Sequence, residues 1–126
     1  LKWAKKISDL GVAEIALSDT IGIAEPILIQ SLFELLSHEL KEVEISAHLH
    51  SLPEIWEEKV KAAFNSGCFS FDSAIKGFGG CPLAEDKLVG NLATENLISF
   101  FSSQLSPNFN LENFKASVSL AQEVFS

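Results

Sequence analysis

Strand-like runs, each followed by a helix-like run, recur along this chain at intervals of roughly 25 to 30 residues. "EIALSD" (Glu14 to Asp19) is short and apolar-rich, and a helical pattern starts at Pro26, a residue suited to a first turn, and continues to about Leu40. "VEISAHLH" (Val43 to His50) is the next strand. Ser51 and Glu54, with Pro53 between them, predict a capping box that opens the following helix, and Gly67 closes it. "FSFDSAI" (Phe69 to Ile75) and "NLAT" (Asn91 to Thr94) complete a set of about four strands. Leu1 to Leu10 reads as the end of a helix, and a further helix runs from about Glu95 to Leu105. A last amphipathic helix follows Asn110, with Leu111, Phe114, Val118, Ala121 and Phe125 on one side. Strands joined through helices make right-handed βαβ units and a parallel sheet.

The alternation in Val43 to His50 decides between the two architectures that fit. Val43, Ile45, Ala47 and Leu49 lie on one face, and Glu44, Ser46, His48 and His50 on the other. A central strand of a doubly wound sheet is covered by helices on both faces and is apolar throughout. The inward face at the functional end of a barrel strand carries polar residues instead. A complete (β/α)8 barrel takes about 250 residues, so the 126 residues here are expected to form one α/β domain, residues 1–126, that is half of such a barrel plus a terminal helix. The chain opens on leucine and contains no methionine, which reads as a cut or missing N-terminal part.

A formal net charge of −8 argues against non-specific nucleic-acid binding and against an anionic membrane surface. No run reaches the roughly 20 apolar residues of a membrane-spanning helix, and no signal peptide opens the chain. Two cysteines in such a chain do not suggest a disulfide framework. Cys68, after Gly67 at the entry to an apolar run, reads as a small buried hydrophobe. Cys81 sits in "GFGGCPLAEDKLVGN" (residues 77–91), a loop with four glycines, which suits close backbone approach to a ligand.

Polar residues gather where strands end: Asp19 and Thr20, His48 and His50, Asp72, then Cys81 and Asn91 around the loop. Active sites of parallel α/β folds sit at those carboxyl ends. His48 and His50, two apart on a strand, project to the same side about 7 Å apart at the backbone, so two imidazoles can converge on one metal ion. Oxygen ligands beside them suit Mg²⁺ or Mn²⁺ better than structural zinc. The same pair also fits two histidines satisfied by neighbouring carbonyls. The loop lacks the lysine of a P-loop and the spacing of a dinucleotide fold, and no GxSxG elbow is present. Glu57 and Glu58 read as a solvated helix face, and Phe100 and Phe101 as ordinary packing.

"LSDTIG" (Leu17 to Gly22), "AHLH" (Ala47 to His50), "FDSAIKGFGGCP" (Phe71 to Pro82) and "GNLATE" (Gly90 to Glu95), in this order and at this spacing, resemble hydroxymethylglutaryl-CoA lyases of the DRE-TIM metallolyase superfamily. The HxH pair only places the superfamily, whereas the GGCP loop points to the lyase. The resemblance covers nearly the whole chain and implies the C-terminal half of a TIM barrel. It implies His48, His50 and Asn91 as metal ligands, with Mg²⁺ or Mn²⁺ as cofactor. It further implies His48, Asp19 and Cys81 in catalysis, and Thr20, Gly79, Gly80 and Glu95 beside an acyl-CoA substrate. The reaction implied is cleavage of 3-hydroxy-3-methylglutaryl-CoA to acetyl-CoA and acetoacetate, as in ketone-body or leucine catabolism, by a cytoplasmic homo-oligomer of bacterial type. Three departures stand out. The family's first-strand Asp-Arg-Glu signature has no counterpart, Ser51 stands where many relatives have aspartate, and "AEDKLVGN" replaces the common "AKGASGN". Another aldolase or synthase of the superfamily, or a half-barrel that binds metal or a partner without turnover, remains open at this point.

Overall fold

The computed structural model of the chain describes residues 1–80, 89–102 and 110–125. Its elements, in order, are α1 (Lys2–Ser8), β1 (Glu14–Asp19), α2 (Pro26–Glu39), β2 (Glu44–Leu49), α3 (Trp56–Asn65), a single 3-10 turn (Ile75–Gly77), α4 (Thr94–Ser102) and α5 (Leu111–Phe125). β1 and β2 pair in parallel, with Ala16 opposite Ser46 and Ser18 opposite His48. The alternation of β2 is therefore matched by β1, and small residues of β1 lie across from its polar face.

The third and fourth strand candidates follow in order beyond β2 but do not form regular strands. Phe71 bridges Ala47 and Ala74 bridges Ala93, both in the parallel sense. Ala47 N–H donates to the Ser70 carbonyl and Asp72 N–H to that of Ala47; Ala74 N–H donates to Leu92 and Thr94 N–H to Ala74. Each ladder is one bridge long, because the third segment turns from one neighbour to the other within three residues. The order across the molecule is β1, β2, residues 70–74, then residues 91–94, and the regular sheet among the described residues has two strands instead of about four.

The helices cover the apolar face. Ile29, Phe33 and Leu36 of α2, Ile45, Ala47 and Leu49 of β2, and Val60 and Ala63 of α3 form one buried cluster with Leu40, Cys68, Leu92 and Leu97. Aromatic rings extend it, with Phe64 packed edge-on against Phe100 and Phe101. The predicted capping box is absent. Ser51 Oγ donates to the Leu52 carbonyl, residues 53–55 form a turn, and α3 begins only at Trp56 behind Ile55. Ser51 is drawn into the interior by its backbone, whose N–H donates to the Gly90 carbonyl, so its hydroxyl does not cap the helix. Asn110, by contrast, does cap α5, its Oδ1 accepting from Asn113 N–H at 2.9 Å.

Candidate metal and active site

At the carboxyl ends of β1 and β2 lies a cleft of about 360 Å³ lined by Ser18, Thr20, His48, His50, Gly80 and Asn91. Ser18 and His48 belong to the two strands, Thr20 and His50 follow directly after them, and the stretch around the glycine loop supplies the other two. His50 is pulled close to the loop by an antiparallel bridge to Asn91.

The ring nitrogens decide what the histidines can do. His50 Nδ1 lies 3.0 Å from the Val89 carbonyl oxygen, which only accepts, so that nitrogen carries the proton. His48 Nδ1 lies 2.9 Å from an Asp72 carboxylate oxygen and carries its proton for the same reason. In the neutral rings both Nε2 atoms are then bare, and they face each other at 3.3 Å. Two lone pairs at that distance repel unless a positive centre, a proton or a metal ion, lies between them. Neighbouring ligands of an octahedral divalent ion with bonds of 2.0–2.1 Å are about 3 Å apart. The donor pair therefore fits a shared ion, and the outward Nδ1–H contacts are the supports that metal-bound histidines ordinarily have.

Asn91 stands beside them with its Nδ2 donating to the Phe78 carbonyl at 2.9 Å, which leaves Oδ1 as the acceptor of that amide. No group of three His, Cys, Asp or Glu side chains suited to an ion occurs among the described residues, so a third ligand of that kind is not found here. Gly77 explains one part of the glycine-rich stretch. Its φ is +67°, and a Cβ there would come within 2.8 Å of the Asn91 carbonyl oxygen. Gly79 also lies close to Asn91, since its Cβ would meet Nδ2 at 3.1 Å. Cys81 lies outside the described residues.

Two expected site residues are engaged elsewhere. Glu95 does not line the cleft; both its carboxylate oxygens accept from Lys76 N–H, at 2.8 and 3.2 Å, and hold that residue at φ +55°. Asp19 turns away from the histidines. Its Oδ1 accepts from Ile23 N–H at 3.1 Å, and its Oδ2 from Ala24 N–H at 3.0 Å and from Lys59 Nζ at 2.8 Å. The physical reason is local: the chain reverses at Gly22, and the carboxylate satisfies the backbone donors that the turn exposes before α2. Sequence reasoning missed Lys59. The signal was present, because Trp56, Lys59, Val60 and Ala63 share one face of α3, and a lysine in an apolar stripe needs a buried partner.

The HMGL-like family model matches residues 1–120. A hydroxymethylglutaryl-CoA lyase of Pseudomonas mevalonii is 38% identical over 97 residues, covering 77% of this chain and 32% of the relative. An (R)-citramalyl-CoA lyase of Chloroflexus aurantiacus is 36% identical over 99 residues, covering 79% of this chain and 31% of that protein. The crystal structure of an HMG-CoA lyase of Bacillus subtilis superposes with a TM-score of 0.87 at 26% identity, over 98% of this chain and 42% of that one. The chain thus spans about a third of the length of these curated relatives.

Proposed function

Because this chain belongs to the HMGL-like family, we propose that its residues form the C-terminal half of a (β/α)8 barrel in a metal-dependent carbon–carbon lyase. The substrate in this reading is 3-hydroxy-3-methylglutaryl-CoA, and the products are acetyl-CoA and acetoacetate. The observation that carries it is the pair of bare Nε2 atoms 3.3 Å apart, each ring anchored through Nδ1. The lyase relatives support the reaction type.

His48 and His50 would hold a divalent ion, Mg²⁺ or Mn²⁺, with Asn91 offering its amide oxygen. When bound, such an ion supplies the positive charge that polarises the tertiary hydroxyl of the substrate. With Nδ1 engaged by Asp72, His48 has one lone pair, so in holding the ion it keeps its proton on Nδ1 and takes part in proton transfer only through that Nδ1–H. A general base takes the hydroxyl proton and lets the carbon–carbon bond break; the bond's electron pair passes to the acetyl-CoA carbon as an enolate, and the hydroxyl carbon becomes the ketone of acetoacetate. Cys81 delivers the proton that completes acetyl-CoA, from a glycine-flanked loop suited to closing over the substrate and excluding water. Thr20, Gly79 and Gly80 contact the acyl-CoA. Asp19 and Glu95 act by shaping the loops on either side. A cytoplasmic homo-oligomer fits this reading, and no described helix is long and apolar enough to cross a membrane.

The similarity to a citramalyl-CoA lyase favours one second reading, cleavage of a different hydroxyacyl-CoA on the same scaffold. The test is product analysis with the full-length protein, metal-free and reloaded with Mn²⁺. Acetoacetate released from 3-hydroxy-3-methylglutaryl-CoA only in the loaded protein is the expected result. Turnover of citramalyl-CoA alone would move the assignment to the second reading.

A further inference from the structure

Lys59 has 1% of its surface exposed, and all three protons of its ammonium have acceptors. Nζ donates to Asp19 Oδ2 at 2.8 Å, to the Gly22 carbonyl at 2.8 Å and to the His50 carbonyl at 3.2 Å. These acceptors come from three places: the last residue of β1, the loop that follows it, and the residue just after β2. One cation on α3 therefore pins the carboxyl ends of both strands together beneath the cleft. Gly22 reaches the same knot from the other side. Its φ is +71°, and a Cβ there would lie 2.7 Å from Val89 Cγ1 and 3.2 Å from the His50 carbonyl oxygen. Val89 in turn supplies the carbonyl that holds His50 Nδ1.

From this geometry we infer that Lys59 is a positioning residue for His50: it fixes the main chain of His50 and the 19–24 turn so that His50 Nε2 is presented to His48. Nothing in this role needs Lys59 to touch substrate or ion. A buried lysine serving the fold alone could be satisfied anywhere along α3; here one of its three acceptors is the His50 carbonyl itself, and another belongs to Gly22, which lies against Val89. The inference rests on the metal reading above only for its consequence in metal affinity, and the arrangement of the His50 ring follows from Lys59 with or without an ion.

The experiment uses the full-length protein and its Lys59→Met and Lys59→Gln variants, the second keeping one polar donor where the first disturbs folding. Nitrogen-15 NMR of the imidazoles in the metal-free protein reads the proton on His50 Nδ1, and calorimetric titration with Mn²⁺ reads affinity. The parent is expected to show a slowly exchanging His50 Nδ1–H, and the variants a rapidly exchanging one. Mn²⁺ affinity should fall about tenfold or more, the size of loss that supporting residues of metal ligands produce, while KM for the acyl-CoA changes little. Lys59→Arg should recover part of both signals. An unchanged His50 imidazole signal in a folded Lys59→Met or Lys59→Gln protein would overturn the inference. A changed signal in a protein whose parent binds no Mn²⁺ would keep the positioning role and remove the metal reading.

Discussion

At the scale of single residues, burial separates the chemistry of the core from that of the cleft. Cys68 has no exposed surface, its Sγ donates to the Ser70 carbonyl at 3.2 Å, and desolvation pushes its thiol up to about 11. A thiol held so far above the usual value of about 8.5 stays protonated and unreactive at neutral pH. The sign of its pH effect follows. The native state keeps the proton more tightly than the unfolded chain, so the contribution is complete below about pH 8.5 and is lost as pH rises toward 11. A Cys68→Ala protein is therefore expected to lose less stability across that interval than the parent, measured by urea unfolding at a series of pH values. Equal losses would mean that Cys68 ionises in the native state as it does in the unfolded chain. His48 and His50 differ from Cys68 in kind, because each has one nitrogen satisfied and one left facing the other ring.

Elements show how much was legible beforehand. β1 and β2 follow from short runs bounded by turn residues, and the clean alternation in β2 correctly separated the helix-facing residues from His48 and His50. α2 begins at Pro26 as its sequence implies. The third and fourth strands were readable as apolar runs, but their length was not. A run's composition says nothing about how many backbone groups find neighbours, and here each ladder holds one bridge. Asp19 ends a strand beside the histidines, yet its side-chain direction is decided by backbone donors four and five residues on, which no periodicity records. Lys59 was hidden by the ordinary expectation that a helical lysine is solvated. The expected capping box at Ser51 gave way to a longer turn, since tertiary pairing with Gly90 outcompeted a local cap.

For the molecule as a whole, one edge of the sheet and several apolar surfaces have no cover among the described residues. β1 pairs with β2 on one side and with no other strand among the described residues. Leu28, Leu32 and Leu35 lie exposed along α2, and Leu120, Val124 and Phe125 along α5. An unpaired parallel strand is a template for another chain, and faces this apolar mark contact surfaces. The isolated 126 residues are therefore expected to self-associate and to show no lyase turnover, with both properties changing when the rest of the barrel is supplied. Light scattering and product assay on the two forms check this, and turnover by the isolated chain would contradict the proposal that these residues are half of the catalytic barrel. Everything proposed for the cleft depends on where the ion binds. Pulsed electron paramagnetic resonance of Mn²⁺ bound to the full-length protein reads it most directly, through the nitrogen nuclei coupled to the metal. Coupling to two imidazole nitrogens is expected, reduced to one in His48→Ala and in His50→Ala. Bound Mn²⁺ with no imidazole coupling, or coupling unchanged in both variants, would contradict the proposal.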